Sequence, residues 1–117
     1  MTENWRALID EKDFPEEGVH VAVVDGWRVF VAKSEGEFYA VNDRCTHAGS
    51  ILSTGRIRRG QVMCPMHGAR FDLATGRCAG GAYQPIRTFP LRIVDGRIEV
   101  EIPSEPPGMA DTPIALS

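Results

Sequence analysis

Two short segments of this chain each place one cysteine close to one histidine. The first is Cys45-x-His47 in "CTHAGS", and the second is Cys64-x-x-His67 in "CPMHGA". Thiolate and imidazole are both good ligands for transition metals, and two loops that face each other can supply four of them to one centre. We therefore predict that Cys45, His47, Cys64 and His67 bind a metal or a metal cluster.

The remaining cysteine and histidine, Cys78 and His20, lie outside these segments. A single cysteine is often a small buried hydrophobic residue, and a single histidine is usually solvated or hydrogen-bonded. We predict structural roles for both.

The rest of the chain indicates antiparallel strands. Runs of β-branched and aromatic residues are separated by turn dipeptides, of which Asp-Gly is a strong hairpin signal because both central residues of the favoured turn have positive φ. These dipeptides are Asp25-Gly26, Glu35-Gly36, Thr75-Gly76 and Asp95-Gly96. Helical periodicity is nearly absent, with short turns expected only near "LIDEKDFP" and in "AGSILS". The prediction is an all-β fold, a small sandwich or barrel, with the Cys/His loops between strands.

The length of 117 residues fits one domain. We expect this domain to span residues 1–102 and to be followed by a proline-rich tail, residues 103–117, that is extended or mobile. The net charge of −3 argues against nucleic acid as a partner, because a phosphate-backbone binder normally carries a basic stripe.

The cellular compartment follows from the N-terminus and the cysteines. The acidic start "MTENWRALIDEKDF" differs from a secretory signal, and no stretch is long enough to span a bilayer. The expected location is the cytoplasm, without membrane contact. In a reducing compartment, three cysteines favour metal binding or redox chemistry over a disulfide scaffold.

Two kinds of metal centre remain open on ligand type alone. Structural zinc commonly uses two cysteines and two histidines, although zinc fingers take both histidines from one helix. Here each loop pairs a cysteine with a histidine, which suits a dinuclear iron-sulfur unit with cysteines on one iron and histidines on the other.

The segments "CTHAGS" and "CPMHGARFD" resemble the two cluster-binding boxes of the Rieske family. The all-β context from about Ala7 to Ile102 is similar to the Rieske domain throughout. The resemblance implies one [2Fe-2S] cluster held by two loops at one end of the fold. Cys45 and Cys64 would bind the inner iron, and His47 and His67 the outer, solvent-facing iron. It also places a third, cluster-covering loop at "GGAYQP", stiffened by Pro85.

Departures from the family pattern indicate a low potential. High-potential members resemble "CTHLGC" and "CPCHGSxY", with an added cysteine in each loop and two hydroxyl donors. This chain has Ser50, Met66, Ala69 and Phe71 at those places. We therefore expect no disulfide between the loops and a potential of roughly −150 mV, the low end of the Rieske range. Gly49 and Gly68 either let backbone amides approach the cluster sulfurs or serve ordinary turns.

The resemblance is greatest to Rieske-type ferredoxins of bacterial multicomponent aromatic-ring dioxygenases. It implies a soluble, monomeric one-electron carrier, not an enzyme, that links a flavin-dependent NAD(P)H reductase to a terminal oxygenase. The sequence contains no dinucleotide fingerprint, and only His20 remains for a mononuclear iron site, which agrees with that role. Two alternatives stay open: a small Rieske subunit of an assimilatory nitrite reductase, and a structural zinc-binding module.

Overall fold

The computed structural model describes residues 4–15, 18–46, 49, 51–66 and 68–108. In this part of the chain, ten strands form three antiparallel sheets, of orders β1-β10-β9, β2-β3-β4-β8 and β5-β6-β7. The strands are β1 Trp5–Asp10, β2 Val19–Val24, β3 Trp27–Ser34, β4 Glu37–Asn42, β5 Arg56–Arg58, β6 Gln61–Met63, β7 Arg70–Asp72, β8 Thr88–Phe89, β9 Leu91–Val94 and β10 Arg97–Glu101. The all-β fold predicted from the sequence is confirmed.

The predicted hairpin dipeptides make tight turns between paired strands. Asp25-Gly26 joins β2 to β3, Glu35-Gly36 joins β3 to β4, and Asp95-Gly96 joins β9 to β10. The first residue of each dipeptide has φ of 52°. The following glycines have φ of 78° to 87°, so both central residues have the positive φ that these turns require.

The structure differs from the sequence-based expectations at three places. The short turn expected near "LIDEKDFP" is present as the 3₁₀ helix Glu11–Asp13, but the segment up to Asp10 belongs to strand β1, which the sequence did not predict. The β5–β6 hairpin, which turns at Arg59-Gly60, was not expected, because arginine is not a turn signal. The strand expected after Thr75-Gly76 is a single bridge between Cys78 and Phe71. The turn expected in "AGSILS" lies partly outside the described residues.

Strand β3 separates the two main groups of buried side chains. Six of its eight residues are buried, and successive side chains point to opposite faces. Phe30 and Ala32 face one group, and Trp27, Val29 and Val31 face the other. The first group, named here the cysteine core, contains Phe30, Ala32, Val41, Cys45, Leu52, Val62, Cys64, Phe71, Leu73, Cys78 and Ile86. All three cysteines therefore belong to one core.

The helices in the described ranges are two 3₁₀ helices of three residues each, at Glu11–Asp13 and Ala79–Gly81. Neither is long enough to cross a bilayer.

The first residues of the proline-rich segment contact the sheets. The Trp27 indole Nε1–H donates a hydrogen bond to the Glu105 carbonyl oxygen over 3.0 Å. Just before this segment, the Ile102 amide donates to the Asn4 carbonyl oxygen over 2.9 Å. The start of the segment is therefore attached to strand β3 through Glu105. Residues 109–117 lie outside the described residues.

We predict that Gly76→Ala destabilises the fold by about 1–3 kcal/mol more than Gly36→Ala. Both glycines have φ near 80°, so both substitutions carry the same left-handed strain of about 1–2 kcal/mol. A Cβ atom on Gly36 meets nothing within 4 Å, whereas one on Gly76 overlaps the carbonyl oxygen of Ile86, which adds an overpacking cost. Urea denaturation of the two variants measures the difference. Equal losses of stability would contradict the close approach at Gly76.

Candidate metal centre

The first of the two loops with predicted ligands, loop 1 (residues 43–53), is closed by a buried carboxylate. Asp43 is 0% exposed and accepts hydrogen bonds from the Leu52 amide at 2.6 Å, the Ser53 amide at 2.8 Å and the Ser53 hydroxyl at 2.8 Å. The Arg28 guanidinium forms an ion pair with the same carboxylate at 2.7 Å. These contacts join the two ends of loop 1 and attach them to strand β3, so Cys45 leaves the sheet from a fixed point.

The second loop with predicted ligands, loop 2 (residues 64–69), is the tip of the β6–β7 hairpin. The Cys64 amide donates to the Ala69 carbonyl oxygen at 2.7 Å, one step beyond the last strand pair, Met63 with Arg70. Cys64 therefore continues directly from a strand of the sheet.

Both loops contain the same local turn. The Gly49 amide donates to the Cys45 carbonyl oxygen at 2.7 Å, and the Gly68 amide donates to the Cys64 carbonyl oxygen at 3.0 Å. The glycines have φ of 72° and 79°, a region that favours glycine. Of the two roles considered for these glycines, the geometry favours turn formation, because each amide already has a carbonyl partner.

The two predicted cysteine ligands are both buried in the cysteine core. Cys45 is 0% exposed and Cys64 is 1% exposed, and both thiols are free of disulfide bonds. His47 and His67 lie outside the described residues. The residues on either side of position 67, Met66 and Gly68, are exposed. The described half of the ligand set thus fits a cofactor whose sulfur-bound end lies in the core.

A close backbone contact fixes the distance between the two loops. Gly55 follows loop 1, and a Cβ atom at this position would overlap the carbonyl oxygen of Met63, the residue before Cys64. The chain leaving loop 1 therefore touches the chain entering loop 2, which only a residue without a side chain allows. Sequence reasoning missed both Gly55 and Asp43, because neither belongs to a recognisable motif.

The third loop, loop 3 (residues 79–85), lies against loop 1. The Thr46 hydroxyl, next to Cys45, donates to the Gln84 carbonyl oxygen at 2.5 Å. The segment after loop 3 is held by the Asn42 amide, which donates to the Arg87 carbonyl oxygen at 2.8 Å. The "GGAYQP" segment therefore lies beside loop 1, and its role in covering the cluster stays a prediction.

The other cysteine and histidine have different surroundings. Cys78 belongs to the cysteine core, and its thiol lies 3.5 Å from the Ala79 carbonyl oxygen as a weak donor. His20 is half-buried and is the second residue of strand β2. Within the described ranges, which exclude positions 47 and 67, no three Cys, His, Asp or Glu side chains are grouped closely enough to hold a metal ion.

The fold and this site define a family. The sequence model of the Rieske [2Fe-2S] domain family matches residues 4–90. The chain therefore belongs to the Rieske family. Its cofactor is accordingly one Rieske-type [2Fe-2S] cluster, and a structural zinc module does not fit this assignment.

Individual proteins of known name are similar to most of this chain. The ferredoxin component of the naphthalene 1,2-dioxygenase system from Pseudomonas aeruginosa is 35% identical over 104 residues, which cover 87% of this chain and 99% of that protein. The Sphingomonas yanoikuyae B1 ferredoxin superposes with a TM-score of 0.77 at 27% sequence identity. The superposition covers 86% of this chain and 100% of that ferredoxin. A chain in the complex of reduced oxygenase and oxidized ferredoxin of carbazole 1,9a-dioxygenase gives a TM-score of 0.78 at 25% identity, covering 86% and 94%.

We predict that Asp43→Asn lowers the free energy of unfolding by about 3 kcal/mol, because a carboxamide removes the buried carboxylate and leaves the half-buried Arg28 guanidinium and part of the donor set unpaired. Asp25→Asn is the matched control. It removes the exposed Arg6–Asp25 ion pair, and asparagine tolerates the φ of 52° at this position, so the loss is at most about 1 kcal/mol. Denaturant titration checks both values. Similar losses in the two variants would show that Asp43 does not hold loop 1.

Proposed function

We propose that this protein is the ferredoxin component of an aromatic-ring dioxygenase system. It carries one electron at a time from a flavin-dependent NAD(P)H reductase to a terminal Rieske oxygenase. The observation that carries the proposal is the match to nearly the whole length of a naphthalene dioxygenase ferredoxin component. The geometry of the site also supports the proposal, because both candidate cysteines are buried and each begins the same kind of turn.

We assign the four ligands as the sequence predicted. Cys45 and Cys64 hold the inner iron and His47 and His67 the outer iron. The support is the burial of both cysteines in one core and the exposure of Met66 and Gly68, which flank position 67. When bound, a Rieske cluster takes up and releases a single electron.

The surrounding residues determine how easily that electron is accepted. A neighbouring donor stabilises the more negative, reduced state and raises the potential. Phe71 is fully buried in the cysteine core, and Ala69 lies at the base of loop 2, yet neither side chain has a donor group. We infer a low potential, which suits electrons drawn from NAD(P)H.

The cellular location and the domain limits belong to the same proposal. We place the protein in the cytoplasm, where the reductase finds its nicotinamide. The Rieske domain spans residues 1–102 and the tail spans 103–117. The Trp27–Glu105 hydrogen bond supports a tail that begins as extended chain held on the domain surface.

The ligand assignment predicts that Cys64→Ala abolishes the cluster and that Cys78→Ala retains it. Both cysteines belong to the same core, so the pair separates ligation from packing. Iron and labile sulfide analysis of natively purified protein is expected to give two of each per wild-type chain, a number fixed by the [2Fe-2S] composition. Loss of iron from both variants, or from neither, would contradict the assignment.

The electron-carrier role has its own test. With the reductase and terminal oxygenase of the host's aromatic dioxygenase system, NAD(P)H-dependent reduction of the oxygenase is expected to require the wild-type protein. The Cys78→Ala protein should support it, and the Cys64→Ala protein should not. Full reduction of the oxygenase without this protein would contradict the proposed role.

We predict that Phe71→Tyr raises the reduction potential by roughly 20–65 mV. A new hydroxyl beside the cysteine ligands provides a hydrogen bond of about 0.5–1.5 kcal/mol to the reduced state, and 59 mV corresponds to a tenfold change for one electron. Phe38→Tyr adds the same hydroxyl beside Phe14 in the other core, so its potential should not change. Redox titration by visible absorption measures both. An equal shift in the two variants would contradict the local effect.

A further inference from the structure

The exposed face of the β5–β6–β7 sheet is strongly basic. Ile57, Val62 and Phe71, which are opposite one another in the sheet, pack on the cysteine core. Because side chains alternate along a strand, their neighbours lie on the outer face. These outward residues include Arg56, Arg58, Gln61, Met63 and Arg70.

The outer face forms a concavity of ≈ 290 Å³. Arg59, in the β5–β6 turn with φ of 53°, completes its rim. We name this surface the arginine groove, and its lining is Arg56, Arg58, Arg59, Gln61, Met63 and Arg70. The groove holds four of the 13 lysines and arginines in a chain whose net charge is −3, so its local charge is opposite to that of the protein.

The four guanidinium groups have no acidic partner within the described part of the chain. None of them takes part in an ion pair or a side-chain hydrogen bond there. The nearby carboxylate of Asp72 accepts hydrogen bonds from the Ala74 and Thr75 amides at 2.8 and 3.2 Å. Clustered like charges repel one another, so this arrangement disfavours the isolated fold and favours an anionic surface bound on top of it.

The groove begins at the base of loop 2. Met63 directly precedes Cys64, and Arg70 directly follows Ala69, whose carbonyl oxygen accepts the Cys64 amide. A surface that covers Met63 and Arg70 therefore lies beside the loop that carries two of the four proposed ligands.

We propose that the arginine groove docks an acidic surface patch of a redox partner protein. This inference rests on the proposed electron-carrier function. Guanidinium groups bind carboxylates in bidentate geometry, and arginine and methionine are enriched in protein interfaces. Docking there places loop 2 against the partner.

The shape of the groove favours a protein surface over other anions. All four arginines are exposed, and Gln61 and Met63 add neutral contact area between them. A site for a small anion needs enclosure and buried polar groups, whereas this concavity is open. The negative net charge of the whole chain disfavours nucleic acid.

The first experiment compares two double variants of the cluster-loaded protein. Arg56→Gln/Arg70→Gln removes two of the four positive charges of the groove. The control Lys12→Gln/Arg97→Gln removes two exposed positive charges elsewhere, one in the 3₁₀ helix after β1 and one in β10. Both change the net charge by the same amount. Stopped-flow absorbance measures the second-order rate constant of electron transfer with the reductase and with the oxygenase at rising ionic strength.

The groove variant is expected to react at least about tenfold more slowly with one partner at low salt and to lose most of the salt dependence, because charge complementarity acts mainly on association. The control variant should stay within about twofold of wild type. Equal rates in the two double variants would overturn the groove while leaving the electron-carrier role intact.

The second experiment tests the groove without any redox partner. Calorimetric titration at low salt with a hexaglutamate peptide should show binding to wild type and to the control variant, and binding at least about fivefold weaker to the groove variant. Tighter binding of inorganic pyrophosphate than of hexaglutamate would overturn the proposal in favour of a small-anion site. If wild type exchanges electrons with neither partner, the proposed function fails, and peptide binding alone then decides whether the groove recognises acidic surfaces.

Discussion

Four contacts converge on the buried carboxylate of Asp43, and the position of loop 1 depends on them. A fully buried charge is costly unless it is paired and hydrogen-bonded. Here Arg28 supplies the opposite charge. Leu52 and Ser53, at the far end of the loop, donate three hydrogen bonds to the carboxylate. The same contacts that satisfy the carboxylate therefore determine where Cys45 leaves strand β4.

Loop 2 needs no such anchor, because it is the tip of a hairpin. The sheet delivers Cys64 directly, and the Gly55–Met63 backbone contact holds the hairpin against the chain leaving loop 1. The two loops are thus positioned by different contacts. The Asp43 carboxylate holds loop 1, and the hairpin with the Gly55–Met63 contact holds loop 2. Within each loop, the cysteine carbonyl and a left-handed glycine close the same turn, so the two halves of the proposed site share one local geometry.

The sequence predicted the parts of this structure that depend on short-range signals. The Asp-Gly dipeptides at 25–26 and 95–96 form turns between paired strands, as expected, and the short spacing to a histidine singled out Cys45 and Cys64, but not Cys78, as candidate ligands. Strand β1 was missed because its partner β10 is distant in sequence and a register shift between Ala7 and Ile9 interrupts its alternation. Asp43 was missed because an isolated aspartate carries no local sign that four donors will surround it.

The placement of both proposed cysteine ligands in the cysteine core has a consequence for how the protein is made. Cys45 and Cys64 belong to the same buried group as Phe30, Val41 and Val62, so the proposed ligands are also residues of the apolar core. When ligands are core residues, the free energy of metal binding becomes part of the free energy of folding. The supply of iron and sulfide during biosynthesis then governs how much folded chain accumulates, and assembly of the cofactor and maturation of the polypeptide become a single event.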